Sequence, residues 1–227
     1  MVSRTFNSED IDLGLVGYWK LNDLRVSTST AIDSSRGINN GTITGAVEAT
    51  GVDGKRASAM LFDGVDDWIN LGNINDIRPT TAGTISAWVN INSSSPTTVG
   101  RILQLGVSQA GNKGFHIRQN GSSTSIQGFV GDGTTSLTPT MTVTRNKWIY
   151  LVHTFDGINS KLYLDAVLKN TKSFASTSSI NYNDSNAFIG VFNTNPASPF
   201  KGNISNVRIY NRDITQGQVS KLFHQKL

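Results

Sequence analysis

Residues 58–91 read SAMLFDGVDDWINLGNINDIRPTTAGTISAWVNI. Within them, residues 84–91 alternate at period two. Ile85, Ala87, Val89 and Ile91 fall on one side, and Thr84, Ser86, Trp88 and Asn90 on the other. That alternation predicts a half-buried β-strand. Upstream, the apolar run 59–62 meets the turn Asp63-Gly64-Val65-Asp66-Asp67, and a second short run, 68–71, follows at once.

The rest of the chain uses the same vocabulary. Residues 15–21 (LVGYWKL), 101–107, 114–119, 125–130, 147–155, 187–192 and 202–210 read as strands, with a weaker pattern at 137–143. Gly, Asn and Asp punctuate them. Residues 161–164 and 167–170 flank Asp165-Ala166 and read as a hairpin. A two-residue turn there needs positive φ at both central residues and favours Gly second, so Ala166 is the odd member. At the end, Val219, Leu222 and Phe223 have helical spacing, and Thr215 and Gln218 occupy the capping-box positions. About a dozen short strands predict an all-β, antiparallel two-sheet sandwich with a short C-terminal helical turn. Its core is expected to take Trp88 or Val89, with Trp148 and Ile209. Residues 1–13 are polar, with isolated Phe6, Ile11 and Leu13, and read as an arm ahead of a domain at 14–227.

Composition narrows the function. With 227 residues the chain is long enough for one all-β domain with a sizeable core. It has no cysteine, which excludes disulfides, thiolate metal sites and cysteine catalysis. The net charge is +4, but no three basic residues are consecutive, which argues against nucleic-acid binding. No apolar run reaches membrane-spanning length, so no membrane insertion is expected. The N-terminus lacks the apolar segment of a signal peptide. Sequons at Asn40, Asn92, Asn120, Asn183 and Asn203 reflect a chain rich in Asn, Ser and Thr.

In order along the chain stand residues 14–21 (GLVGYWKL), 33–42 (DSSRGINNGT), 62–67 (FDGVDD), 84–89 (TISAWV), 148–155, 162–165 (LYLD) and 202–211 (GNISNVRIYN). Together these resemble the laminin-G-like jelly rolls of the concanavalin A-like lectin/glucanase superfamily. Arg36 and Ala166 depart from the pattern, standing where relatives often have Gly. The resemblance implies two packed antiparallel sheets and usually a binding role. It also implies that Asp33 and the backbone carbonyls near Asn40 and Gly41 form a loop that binds Ca²⁺ in some relatives, with Asp63 as a further ligand. The alternative is that these are turn residues only.

Glycoside hydrolysis, an activity of some relatives, normally needs two carboxyl groups across the scissile bond. The only glutamates are Glu9 and Glu48, and no strand carries alternating acids, so no enzyme activity is expected. The acidic cluster Asp63, Asp66, Asp67 sits in a turn. Of His116, His153 and His224, His153 alternates with Ile149, Leu151 and Phe155 and reads as structural. Trp19, Trp68, Trp88 and Trp148 read as packing residues. Sugar contacts would come from loop residues such as Asn112, Asn120, Asp132, Tyr182, Asn193 or Asn195, whose groups suit hydroxyls.

The leading expectation is a non-catalytic carbohydrate-binding or adhesion module. The alternative is a structural or decoration protein of a virus or phage particle. A virion or extracellular surface suits either, and the arm is expected to dock on a second copy or a particle protein.

Overall fold

The computed structural model describes residues 10–22, 29–54, 58–94, 99–108, 111–120, 124–183 and 185–225. Two antiparallel sheets pack face to face. The first has eight strands: Val167–Ser173, Asn159–Leu164, Trp148–Phe155, Gly83–Ile91, Lys201–Tyr210, Ala59–Asp63 and Val47–Ala49, with Leu15–Trp19 pairing along Lys201–Tyr210. The second has nine: Ser136–Leu137, Ser125–Asp132, Lys113–Gln119, Gly100–Ser108, Ala187–Ile189, Trp68–Gly72, Gly41–Thr44 and Thr30–Ala31, with Thr140–Thr142 also pairing Ser125–Asp132. The Asp63–Asp67 turn is therefore a corner. It carries the chain from the first sheet into the second.

The alternation at 84–91 sorts the side chains. Ile85, Ala87, Val89 and Ile91 are fully buried between the sheets, with Leu151, Phe155 and Ile209. The second sheet contributes Ile69, Leu71, Leu103, Leu105, Phe115 and Ile117 to the same core. Trp88 points the other way, with Tyr150, Val152, Tyr163 and Tyr210. Trp88 and Trp148 thus lie off the inter-sheet core, because period two puts them opposite Val89 and Ile149.

This outer face of the first sheet is covered too. The helix Gln216–His224 packs Val219, Leu222 and Phe223 onto it. The Phe223 ring stacks on Trp88 at 5.4 Å between centroids and 20° between planes. The helix starts at Thr215 because a capping box satisfies its first donors: Thr215 Oγ1 accepts from Gln218 N at 3.3 Å, and Gln218 Oε1 accepts from Thr215 N at 2.9 Å.

Residues 10–13 are tied to the same side. Arg212 Nε donates to Leu13 O at 2.7 Å, Gln218 Nε2 donates to Asp10 O at 3.4 Å, and Ile11 packs against the Trp88 cluster. These four residues of the arm rest on their own domain. Phe6 lies outside the described residues. Among the described residues no helix is long and apolar enough to cross a membrane.

The Asp165-Ala166 hairpin forms despite its alanine. Both residues have positive φ, +48° and +64°. Tertiary contacts hold the turn: Asp165 Oδ1 accepts from Tyr150 N at 2.8 Å, and Gln216 Nε2 donates to Ala166 O at 2.6 Å. An alanine in the left-handed region costs about 1 kcal/mol relative to glycine. Ala166→Gly is therefore expected to raise the unfolding free energy by about 1 kcal/mol. Urea unfolding checks this, and an unchanged midpoint would mean the turn carries no such strain.

Candidate functional site

Among the described residues, no helix lies over the outer face of the second sheet. Cross-strand partners share a face, so the register assembles it. Phe188 pairs with both Asn70 and Gln104, Gln104 with His116, and His116 with Phe129. One row along, Arg101 pairs with Arg118, and Arg118 with Gln127. Trp68 lies two residues from Asn70, on the same side. The intervening residues, Ile69, Phe115, Ile117, Ile126 and Val130, belong to the core.

These outward positions are unusual. Arg101, Gln104 and His116 are each only 1% exposed. The loop after Ala187–Ile189 folds back over them. Gln104 Nε2 donates to Phe192 O, and the Arg101 guanidinium lies 5.0 Å from the centre of the Phe192 ring. On the other side His116 stacks on Phe129, 4.6 Å apart and 6° from parallel. Arg118 Nε donates to Gln127 Oε1 at 2.7 Å. Yet, among the described residues, Arg101 Nε and Nη1, Gln104 Oε1, both ring nitrogens of His116, and Asn193 Oδ1 are buried without hydrogen-bond partners. Buried polar atoms are normally paired, so this concentration on one face marks it.

Charge acts in the same sense. Burial, with Arg118 adding to it, pushes Arg101 down to about 9. Burial, then Arg101, Arg118 and His153, hold His116 well below its ordinary value and therefore neutral at pH 7.

Of the loop residues expected to meet sugar, Asn193 lies in this covering loop. Asn112 is committed elsewhere: its Nδ2 donates to Thr134 O at 2.7 Å and its Oδ1 accepts from Ser136 Oγ. The Asp132 carboxylate accepts from Thr134 N, Thr135 N and Oγ1, and Ser178 Oγ. Tyr182 Oη donates to Pro79 O at 2.6 Å. Asn120 is half-buried at a strand end and Asn195 is exposed. Sequence reading passed over Arg101, Gln104, Arg118 and Phe129. The available signal was large polar or aromatic residues at alternate positions of three neighbouring strands.

The tryptophans divide. Trp19 and Trp88 are buried, and Trp19 Nε1 donates to Asn39 O at 3.0 Å. Trp68 and Trp148 are half-buried. Trp148 lines a cleft of ≈ 380 Å³ with Val52, Trp88, Lys147, Asp165 and Phe223. Among the other histidines, His153 is in the core, where Nε2 and Ser160 Oγ share a 2.7 Å hydrogen bond. His224 Nδ1 lies 2.7 Å from Ser220 O at the helix end.

The residues expected to hold calcium fall into two places. Asp33 N donates to Asn40 Oδ1 at 2.9 Å, which brings Asp33 and Asn40 together ahead of Gly41. Asp33 Oδ1 accepts from Tyr18 N and Ser35 N, and Oδ2 from Ser35 Oγ and Asn39 N, each at 2.8 Å. Those donors fill the four lone-pair positions of a carboxylate, so Asp33 as it stands does not fit a cation ligand. Asp63 lies in the corner turn instead, whose Asp67 side chain and Asp66 carbonyl approach Gly45, beyond the other end of the strand Gly41–Thr44. There Asp63, Asp66 and Asp67 bring carboxylate oxygens within 4.8 Å of one another. Burial, with its acidic neighbours, raises the Asp67 pKa although Asp63 N donates to it. Of the two glutamates, Glu48 is exposed on the edge strand Val47–Ala49 of the first sheet, and Glu9 lies outside the described residues.

Solved structures share this architecture. Domain 4 of AbnA, a GH43 extracellular arabinanase from Geobacillus stearothermophilus, was solved in complex with arabinotriose. It is 22% identical with a TM-score of 0.69, over 92% of this chain and 97% of that one. The binding domain of paraclostridial mosquitocidal protein 1 is 17% identical with a TM-score of 0.73, over 94% of this chain and 52% of that one. Trypanosoma rangeli sialidase is 17% identical with a TM-score of 0.67, over 93% of this chain and 32% of that one. The chain thus spans about half of the second structure and a third of the last. At these identities the likeness is one of fold. A sequence comparison with curated proteins returns no match. A family model described as the concanavalin A-like lectin/glucanases superfamily matches residues 63–220. More than half of the chain falls within that model, and the chain belongs to the concanavalin A-like lectin/glucanases superfamily.

Proposed function

We propose that the chain is a non-catalytic glycan-binding module whose ligand is read on the outer face of the second sheet. The observation that carries this reading is the group of buried, unpartnered hydrogen-bonding atoms of Arg101, Gln104, His116 and Asn193, set among the rings of Phe129 and Phe192. A sugar presents hydroxyls that both donate and accept, and an apolar C–H face. Side-chain amides and guanidinium groups meet the hydroxyls. Aromatic rings meet the C–H face. A few polar groups converging among apolar walls are the usual form of a small-ligand site. The outward positions of this face carry no Asp or Glu, so the carboxylate pair of glycoside hydrolysis has no place there.

A glycan array followed by calorimetry tests the reading, with arabinotriose as the first neutral probe. Phe129→Ala is expected to weaken binding at least about tenfold, the value of one aromatic contact of about 1.4 kcal/mol. Trp148→Ala, across the sandwich, is expected to change it less than about twofold. If only Trp148→Ala weakens binding, the ligand sits in the cleft beside the helix and this face is not the site. Incubation with arabinan or laminarin is expected to release no reducing sugar.

A further inference from the structure

Three basic side chains stand together on the outer face of the second sheet. Arg101 and Arg118 are direct cross-strand partners, and His116 precedes Arg118 by two residues on one strand. The charged groups acting on Arg101 and His116 are themselves basic: Arg118 on the first, and Arg101, Arg118 and His153 on the second. Among the described residues neither arginine makes a salt bridge; the ion pair present, Lys161 with Asp156, belongs to the other sheet. Arg101 is nonetheless almost wholly buried, with Nε and Nη1 unpartnered.

Burying a guanidinium beside a second one, without a counter-charge, opposes folding. The cation–π contact with Phe192 offsets only part of that. A site with this penalty becomes intelligible when a ligand supplies the missing negative charge. The planar guanidinium fork matches the two oxygens of a carboxylate or sulfate, and its hydrogen bonds to such anions are among the strongest available. Neutral His116 adds one N–H donor, while Gln104, whose Nε2 is held by Phe192 O, keeps Oε1 free to accept from a hydroxyl of the same ligand.

We infer that Arg101, Arg118 and His116 form an oxyanion site, with Gln104 Oε1 beside it as an acceptor for a hydroxyl, and that the glycan this face takes is acidic, bearing a carboxylate or sulfate. The glycan part rests on the function proposed above; the anion part rests on the cation cluster alone. Phe192 and Asn193, both half-buried, form the wall that yields to admit the ligand. Beneath the Phe192 ring the attraction acts with little water to screen it.

The test is calorimetry on the full chain with inorganic sulfate, trigalacturonate, a heparin tetrasaccharide and arabinotriose, repeated for Arg101→Met and Arg118→Gln. The inference expects sulfate to raise the Tm, and at least one acidic saccharide to bind at least about tenfold more tightly than arabinotriose. Trigalacturonate and the heparin fragment separate carboxylate from sulfate. In Arg101→Met the ligand-free Tm is expected to stay or rise while the response to sulfate vanishes. Arg118, which is only half-buried, gives a second variant should Arg101→Met fail to fold. Neutral and acidic saccharides binding alike, in wild type and variants, would overturn the anion site and leave the glycan reading intact. Sulfate bound through Arg101 with no saccharide bound would keep the anion site and remove the glycan reading. No binding by any of the four would overturn both.

Discussion

Acidification from about pH 6.5 to about pH 3 is expected to unfold the protein, with the buried His116 one cause and the buried His153 another. The His153 ring is buried in the sandwich core, 4.6 Å from the Phe115 ring. Burial holds its pKa down to about 3, with the His116 backbone pulling slightly the other way. Above pH 6.5 the imidazole is neutral in both folded and unfolded chains and contributes no pH dependence. Below that, the unfolded chain binds a proton that the folded chain refuses, so stability falls as pH falls, until about pH 3. The full loss from this residue is on the order of 4–5 kcal/mol. That approaches the whole stability of many domains. His116, also buried and held low, adds loss in the same direction. Urea titrations at half-unit steps from pH 7.5 to 4 check this. His153→Gln keeps a polar partner for Ser160 and is expected to flatten the slope by up to about 1.4 kcal/mol per pH unit. A stability that is level from pH 7 to 4 would show that His153 is protonated in the folded state.

Asp33→Ala is expected to cost about 3–5 kcal/mol. The carboxylate accepts four hydrogen bonds, three of them from the backbone of Tyr18, Ser35 and Asn39. Truncation orphans those donors where Tyr18 and Asn39 are buried. The damage also spreads: Asn39 O receives Trp19 Nε1 and Asn39 Nδ2 donates to Val16 O, so the loop locks the first strand. For a chain of this size the Tm should fall by roughly 10 °C. Asp33→Asn, which keeps some acceptor capacity, should cost less. The same experiment addresses calcium. With the lone pairs filled by protein donors, chelation is expected to leave the wild-type Tm unchanged. A calcium-dependent Tm that disappears in Asp33→Ala would place a cation in the loop instead.

The fold was legible wherever strands were long and regular. Residues 84–91 and 148–155 show period two over enough positions to be read, and Thr215 with Gln218 announces the helix. Thr30–Ala31 and Val47–Ala49 escaped because two or three residues cannot display a period. The weak pattern at 137–143 became two such pieces for the same reason. Glu48 sits on one of these short edge strands.

The site was harder to read because alternation says which residues share a face but not what covers it. Strand Gly83–Ile91 is buried on both faces, so Trp88 and Val89 look equally internal from the sequence. On strands Gly100–Ser108 and Lys113–Gln119, the outward Arg101, Gln104, His116 and Arg118 look like ordinary solvent-facing residues. The loop carrying Phe192 covers Arg101 and Gln104, and that contact spans some ninety positions of sequence. Around Asp33, the resemblance to a calcium-binding loop could not reveal that three backbone donors and the Ser35 hydroxyl fill its carboxylate.

The placement of Asp10 and the C-terminal helix has a consequence for how the module can be attached. Asp10 O receives Gln218 Nε2, and Ile11 packs with Val219 against the first sheet. Both ends of the described chain therefore leave from the helix-covered side, a sheet-to-sheet spacing of about 10 Å behind the Arg101 face. The candidate face looks the other way, like a palm turned away from the wrist. Immobilisation through either terminus should thus give the same ligand response.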